Sequence, residues 1–153
     1  MKFKFPLQKV LEHRKINENI AQKDFQDSMA VLAELKEKLV HLEGLADEAR
    51  IRSFDVQQGG GMAGPSLQQA HSFLQNQKIL IEMQNKKIQQ QEAIAEEKRS
   101  RLLQAAVETK VIAKLKEKKF AEFKHNLDNE EQKEMDEQSV LRFKSAAKRE
   151  EAS

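Results

Sequence analysis

Along the first third of the chain, apolar residues return in alternating steps of four and three. Leu7, Leu11, Arg14, Glu18, Ala21, Phe25, Ser28, Leu32, Leu35, Leu39, Leu42, Ala46 and Ala49 mark the positions. This spacing keeps one stripe of a helix facing a partner helix along a supercoil. The stripe is strongest from Phe25 to Ala49, and charge interrupts it at Arg14 and Glu18. Val10, Ile20, Val31 and Leu45 are expected to widen it. Gly44 is a local weakness that the surrounding pattern tolerates.

The stepping stops at DVQQGGGMAGPS, Asp55 to Ser66, where four glycines and Pro65 argue against a continuing helix. Ser66, with Gln69 three residues later, reads as an N-cap with a capping box. From Leu67 the steps resume through Ala70, Leu74, Gln77, Ile81, Gln84, Ile88, Gln91, Ala95, Lys98, Leu102 and Ala105, and no Gly or Pro occurs between residues 67 and 152. The pattern predicts an all-α fold, an elongated antiparallel two-helix coiled coil: a helical hairpin with a longer second helix. One domain spans 1–153, with helix 1 at about 5–54, a glycine-rich turn at 55–65, helix 2 at about 66–147 and a short flexible C-terminal tail. Leu32, Leu35 and Leu39 should pack in the seam with Leu74, Ile81 and Ile88.

At ~1.5 Å per residue the second helix spans roughly 120 Å against roughly 70 Å for the first. Folding back at the glycines sets Leu42 near Ile79 and Leu80, and Leu7 near Leu115. About 30 residues of helix 2 then overhang, given the equal rise of paired helices. Phe120, Phe123, Leu127, Met135, Val140 and Phe143 fall there. Restarting the steps at Leu115 gives a polar seam of Lys119, Glu122, Asn126, Asn129, Lys133 and Asp136 before Val140 and Phe143.

Composition sharpens this picture. Charged residues make up 34% of the chain and aromatics 5%, all of them Phe, with no Trp, Tyr or Cys. A compact globule needs more bulky apolar residues, whereas Ala, Leu, Glu, Lys and Gln favour long helices. The absence of cysteine fits a reducing compartment. The opening MKFKFPLQKV has no apolar core of a secretory signal, and no run approaches the ~18 apolar residues of a membrane span. A soluble cytoplasmic protein is expected. The net charge of +2 hides a polarised layout, with a basic N-terminus and six acids against Lys133 over residues 126–138.

Candidate chemistry is sparse. His13, His41, His71 and His125 join no recognisable catalytic arrangement, and long helices offer no concave pocket. GGGMAG lacks the lysine and preceding strand of a phosphate loop. Glu122 and His125 form E-x-x-H, but a di-iron bundle needs a second such pair and two more glutamates. The basic run Lys110, Lys114, Lys116, Lys118 and Lys119 is diluted by Glu108, Glu117 and Glu122, so no nucleic-acid partner is expected. Neither a cofactor nor a metal is expected. In EEQKEMDEQ, Glu130–Gln138, Glu130, Glu134 and Glu137 share one helix face. They form either a solvated face or a surface that a partner reads, and Met135 and Val140 among the acids favour the partner.

The layout as a whole resembles a known family. Phe5, Leu7, Val10 and Leu11 form an F-x-L-x-x-V-L opening. A glycine-bearing turn follows at Gly59–Gly64. The long second helix then ends in E-x-K-x-M-D-E at Glu131, Lys133, Met135, Asp136 and Glu137, followed by Arg142, Lys144, Ala146, Ala147, Lys148 and Arg149. This order is similar to that of the FliJ family, small soluble components of the flagellar type III export apparatus. The resemblance implies an antiparallel coiled coil similar to the central stalk of rotary ATP synthases. It also implies binding to the hexameric export ATPase and to the cytoplasmic domain of the large export-gate membrane protein, with a part in handling export chaperones. Members are not themselves enzymes.

By the same resemblance, Lys133, Met135, Asp136 and Glu137 would contact the ATPase ring, and Leu42, Leu45, Phe73 and Leu80 the gate near the hairpin. The location implied is cytoplasmic, peripheral at the inner membrane at the flagellar base through partners only. This chain has no Tyr or Trp near the hairpin, where aromatics often anchor interfaces. Two readings compete: a coiled-coil oligomerisation or tethering module with no ATPase partner, and a metal-binding bundle formed by dimerisation around Glu122 and His125.

Overall fold

The computed structural model describes residues 2–59 and 64–152. It contains two helices, α1 (Gln8–Gln58) and α2 (Gly64–Glu151), and no strand among the described residues. The helices pack against each other as a hairpin with a longer second helix.

Local chemistry sets the helix ends. Pro6 lacks an N–H and disfavours the helical region for Phe5, so α1 begins at Gln8 rather than near residue 5. The Gln8 amide donates to the Phe5 carbonyl at 3.1 Å, closing the entering turn. At its other end α1 continues through Asp55–Gln58, four residues with no helix breaker, and stops at Gly59, whose amide donates to the Asp55 carbonyl at 2.9 Å. In α2, Gly64 and Pro65 already lie in the first turn. Proline costs little there, because the first amides have no acceptor within the helix. Ser66 is therefore a helical residue and not the N-cap. Gly60–Ala63, the centre of the expected turn, lie outside the described residues.

The chain divides into two compact units. One is Ile16–Ala106, and the other is Met1–Lys15 with Val107–Ser153.

In the unit Ile16–Ala106, a ladder of glutamines records how the helices are aligned. Gln77 Nε2 donates to the Leu42 carbonyl at 3.2 Å, Gln84 Nε2 to the Leu35 carbonyl at 2.8 Å, and Gln91 Nε2 to the Ser28 carbonyl at 3.0 Å. One index rises by seven as the other falls by seven, the signature of antiparallel helices one heptad apart at each rung. Gln91 also donates to Ser28 Oγ at 3.2 Å. Gln77, Gln84 and Ser28 are buried, yet no buried side-chain N or O among the described residues lacks a hydrogen-bond partner. Each rung is worth about 1 kcal/mol net, and leaving its donor unpaired would cost more.

Around the ladder, Leu32, Ala46, Ile88 and Ala95 are buried, while Ala21, Phe25, Leu35, Leu39, Leu42, Ala49, Leu74 and Ile81 are half-buried. Ile20 and Val31 are exposed, so the apolar stripe is narrower than the sequence implied. Two helices have only one mutual face, and residues flanking it stay in water. Lys36 and Glu92 pair across the helices at 3.9 Å, an exposed contact of small worth.

In the other unit, Leu11 and Phe5 are buried with Thr109. Val10, expected to widen the stripe, is exposed. Arg14 Nη1 meets Glu108 Oε2 at 2.7 Å, so the cation in the seam is answered by an acid from the facing helix. The steps from Ala105 continue without restarting. Thr109 is buried, and Ile112, Lys116 and Phe123 are half-buried. The sequence-based restart at Leu115 is overturned where the two patterns part, because Glu122 is exposed whereas Phe123 is half-buried. The cause is the segment before α1. Phe3 meets Phe120 edge-on with ring centroids 5.3 Å apart, and Phe123 at 5.5 Å. Phe120 and Phe123 are thus partnered, not part of a bare overhang.

Candidate docking surfaces

Beyond Phe123, Leu127 is the last half-buried residue of α2. From Asp128 to Ala152 every residue is exposed, although α2 continues to Glu151. Such a helix holds without a packing partner because its backbone bonds continue those of the packed part, which spares the cost of nucleation. Good helix formers fill it, and Lys148 and Arg149 in its last turn suit the negative end of the helix dipole.

Lys133, Met135, Asp136 and Glu137 all stand on this bare stretch. Lys133, Asp136 and Glu137 lie three and four residues apart and share a face, while Met135 points away from it. Gln132 Nε2 donates to Asp136 Oδ1 at 3.2 Å, which steadies one carboxylate at the surface. Met135, Val140, Leu141 and Phe143 are exposed, Phe143 at 76%. Sequence reasoning noted Met135, Val140 and Phe143 but passed over Leu141, whose place beside Val140 was the available signal.

A groove of about 500 Å³ lies between the helices in the unit Ile16–Ala106, lined by Leu45, Ala49, Val56, Leu67, Ala70 and Phe73 among others. It brings Leu45 and Phe73 together. Leu42 and Leu80 do not line it: the Leu42 carbonyl is engaged by Gln77, and Leu80 is exposed elsewhere on α2. Glu48, Arg52, Ser66 and Gln69 also line it, so charged and polar groups share the groove with the apolar ones.

The E-x-x-H pair is spent on neighbours. Lys119 Nζ lies 3.7 Å from Glu122 Oε2, and Asn129 Nδ2 is 3.2 Å from His125 Nε2. No three His, Asp or Glu among the described residues stand together as a metal would need. No helix among them is long and apolar enough to cross a membrane.

These features define a helical-hairpin protein with a thin seam and a bare charged end. The family described as flagellar FliJ protein matches residues 3–148. A solved structure titled a putative YscO homolog, CT670, from Chlamydia trachomatis is similar to it. The two are 23% identical, with 92% of this chain and 93% of that one covered and a TM-score of 0.46. No curated protein matches the chain. The chain belongs to the flagellar FliJ family, and so to the components associated with type III export.

Proposed function

We infer that this protein acts as a non-catalytic stalk in flagellar type III export. Its bare end docks on the hexameric export ATPase, and the hairpin end contacts the cytoplasmic domain of the export gate. Export chaperones are handled from the same scaffold. These contacts hold it at the cytoplasmic face of the inner membrane. The observation that carries the reading is the stretch Asp128–Ala152, a helix exposed on every side that includes Lys133, Met135, Asp136 and Glu137. An unpartnered helix with apolar residues among charges suits insertion into another protein's cleft. Its polarised charge can steer the approach to a ring. The groove that brings Leu45 and Phe73 together offers the gate a partly apolar seat, with Leu80 exposed outside it on α2 and Leu42 in the seam.

The test is ATP hydrolysis by the purified export ATPase with and without this protein, beside co-purification of the two. Saturable stimulation is expected, and it should be lost when Met135, Asp136 and Glu137 are all replaced by Ala while helicity is kept. No co-purification and no effect from a folded protein would replace this reading with a tethering module.

A further inference from the structure

We propose that the exposed end of α2 pairs with the same segment of a second copy, antiparallel and about a twofold axis between Leu141 and Arg142. The argument starts from the order of charges. Residues 128–138 carry Asp128, Glu130, Glu131, Glu134, Asp136 and Glu137 against Lys133, whereas residues 139–149 carry Arg142, Lys144, Lys148 and Arg149 and no acid. Near the centre, at the start of the second stretch, stand Val140, Leu141 and Phe143, all exposed. Read backwards, acid–apolar–base becomes base–apolar–acid. A second copy laid antiparallel therefore sets each acidic half on a basic half and apolar residues on apolar residues. A parallel copy would set acid on acid and base on base. Opposite charges along the flanks of paired helices are what select orientation.

The register follows from the same residues. Setting Val140 opposite Phe143 of the second copy also sets Phe143 opposite its Val140, as twofold symmetry requires. Val140, Phe143 and Ala147 share one stripe of α2, three and four residues apart, as a helix–helix seam needs. Glu137, which flanks this stripe, then neighbours Lys144 of the second copy, and the same pair recurs across the axis. A self-complementary order of charges of this kind is met in full by a second copy. The pairing covers residues that the docking reading also uses. It does not rest on that reading, since its readout contains no ATPase.

The test uses the full chain, which has no cysteine of its own. Sedimentation should show a monomer–dimer equilibrium that weakens several-fold as salt shortens the screening length from about 10 Å at 0.1 M to about 3 Å at 1 M. Orientation is read by single cysteines under mild oxidation. Val140→Cys lies on the stripe beside the axis and should cross-link efficiently to itself. Lys133→Cys should not, because antiparallel pairing separates its two copies by about 25 Å. Glu137→Lys should weaken the dimer several-fold, and adding Lys144→Glu should restore it. Cross-linking at both positions would mean parallel pairing and would overturn the proposal. So would a wild-type protein that stays monomeric to about 1 mM, or a charge reversal without effect.

Discussion

Gln84 Nε2 reaches across the hairpin to the Leu35 carbonyl, 2.8 Å away, from a side chain only 2% exposed. The carbonyl belongs to the backbone of α1, so the contact records the position of the helix rather than the rotamer of a facing side chain. Gln77 and Gln91 repeat it one heptad to either side. Polar groups in a seam trade stability for a defined register.

Replacing Gln77, Gln84 and Gln91 together with Leu should raise the melting temperature by several degrees, since each change adds apolar burial and removes a polar desolvation cost. The same variant should form additional, mixed oligomers by sedimentation that the unchanged chain does not form. A lower melting temperature with association unchanged would show that the bonds stabilise more than they specify.

Leu32 is 6% exposed and Val40 is 67% exposed, eight residues further along the same helix. Leu32→Ala should cost about 2–4 kcal/mol in denaturant unfolding, and Val40→Ala less than about 0.5 kcal/mol. Comparable losses at both sites would contradict the placement of the seam.

Gly44 is helical, and an added Cβ there meets nothing within 4 Å. Gly44→Ala should therefore stabilise the hairpin by about 0.5–1 kcal/mol through helix propensity alone. Thermal unfolding followed by circular dichroism measures this directly. A destabilised variant would point to a contact of Gly44 with a partner.

Phe3 lies before α1 and touches both Phe120 and Phe123. Removing its ring by Phe3→Ala should forfeit about 0.5–1.5 kcal/mol per aromatic pair, beyond the area lost. Hydrogen exchange should quicken around residues 120–127 and stay unchanged around Leu32. Unaltered protection at Phe123 would mean that α2 is held there by other means.

The repeat was legible because helix pairing imposes a fixed period on the sequence. From Leu11 to Ala49, and from Leu67 to Ala105, the stepped positions coincide with the less exposed residues. Past Ala105 the steps land on Thr109 and Lys116, whose polarity disguised a seam that continues in phase. Counting on through them would have reached Phe123. The contacts of Phe3 were hidden for a different reason: residues before Pro6 follow no helical period, and only tertiary packing brings them to α2. Three glutamines spaced by seven were visible as seam positions, but their carbonyl acceptors carry no side-chain signature. The helix ends were blurred because Asp55–Gln58 permit helix and Pro65 is tolerated in a first turn. For the docking surfaces, the acidic and basic runs were plain in the sequence, whereas the grouping of Leu45 with Phe73 depends on how two distant segments meet.

The glutamine ladder also limits how the gene can change in length. One codon inserted between Ser28 and Leu35 would rotate the rest of α1 by about 100°. Leu35 and Leu42 could then no longer accept from Gln84 and Gln77 while Ser28 accepts from Gln91. Seven codons added to α1, matched by seven in α2, would add one rung and disturb none. The hairpin tolerates a change in length by paired heptads, whereas a single-codon slip within the ladder would break its rungs.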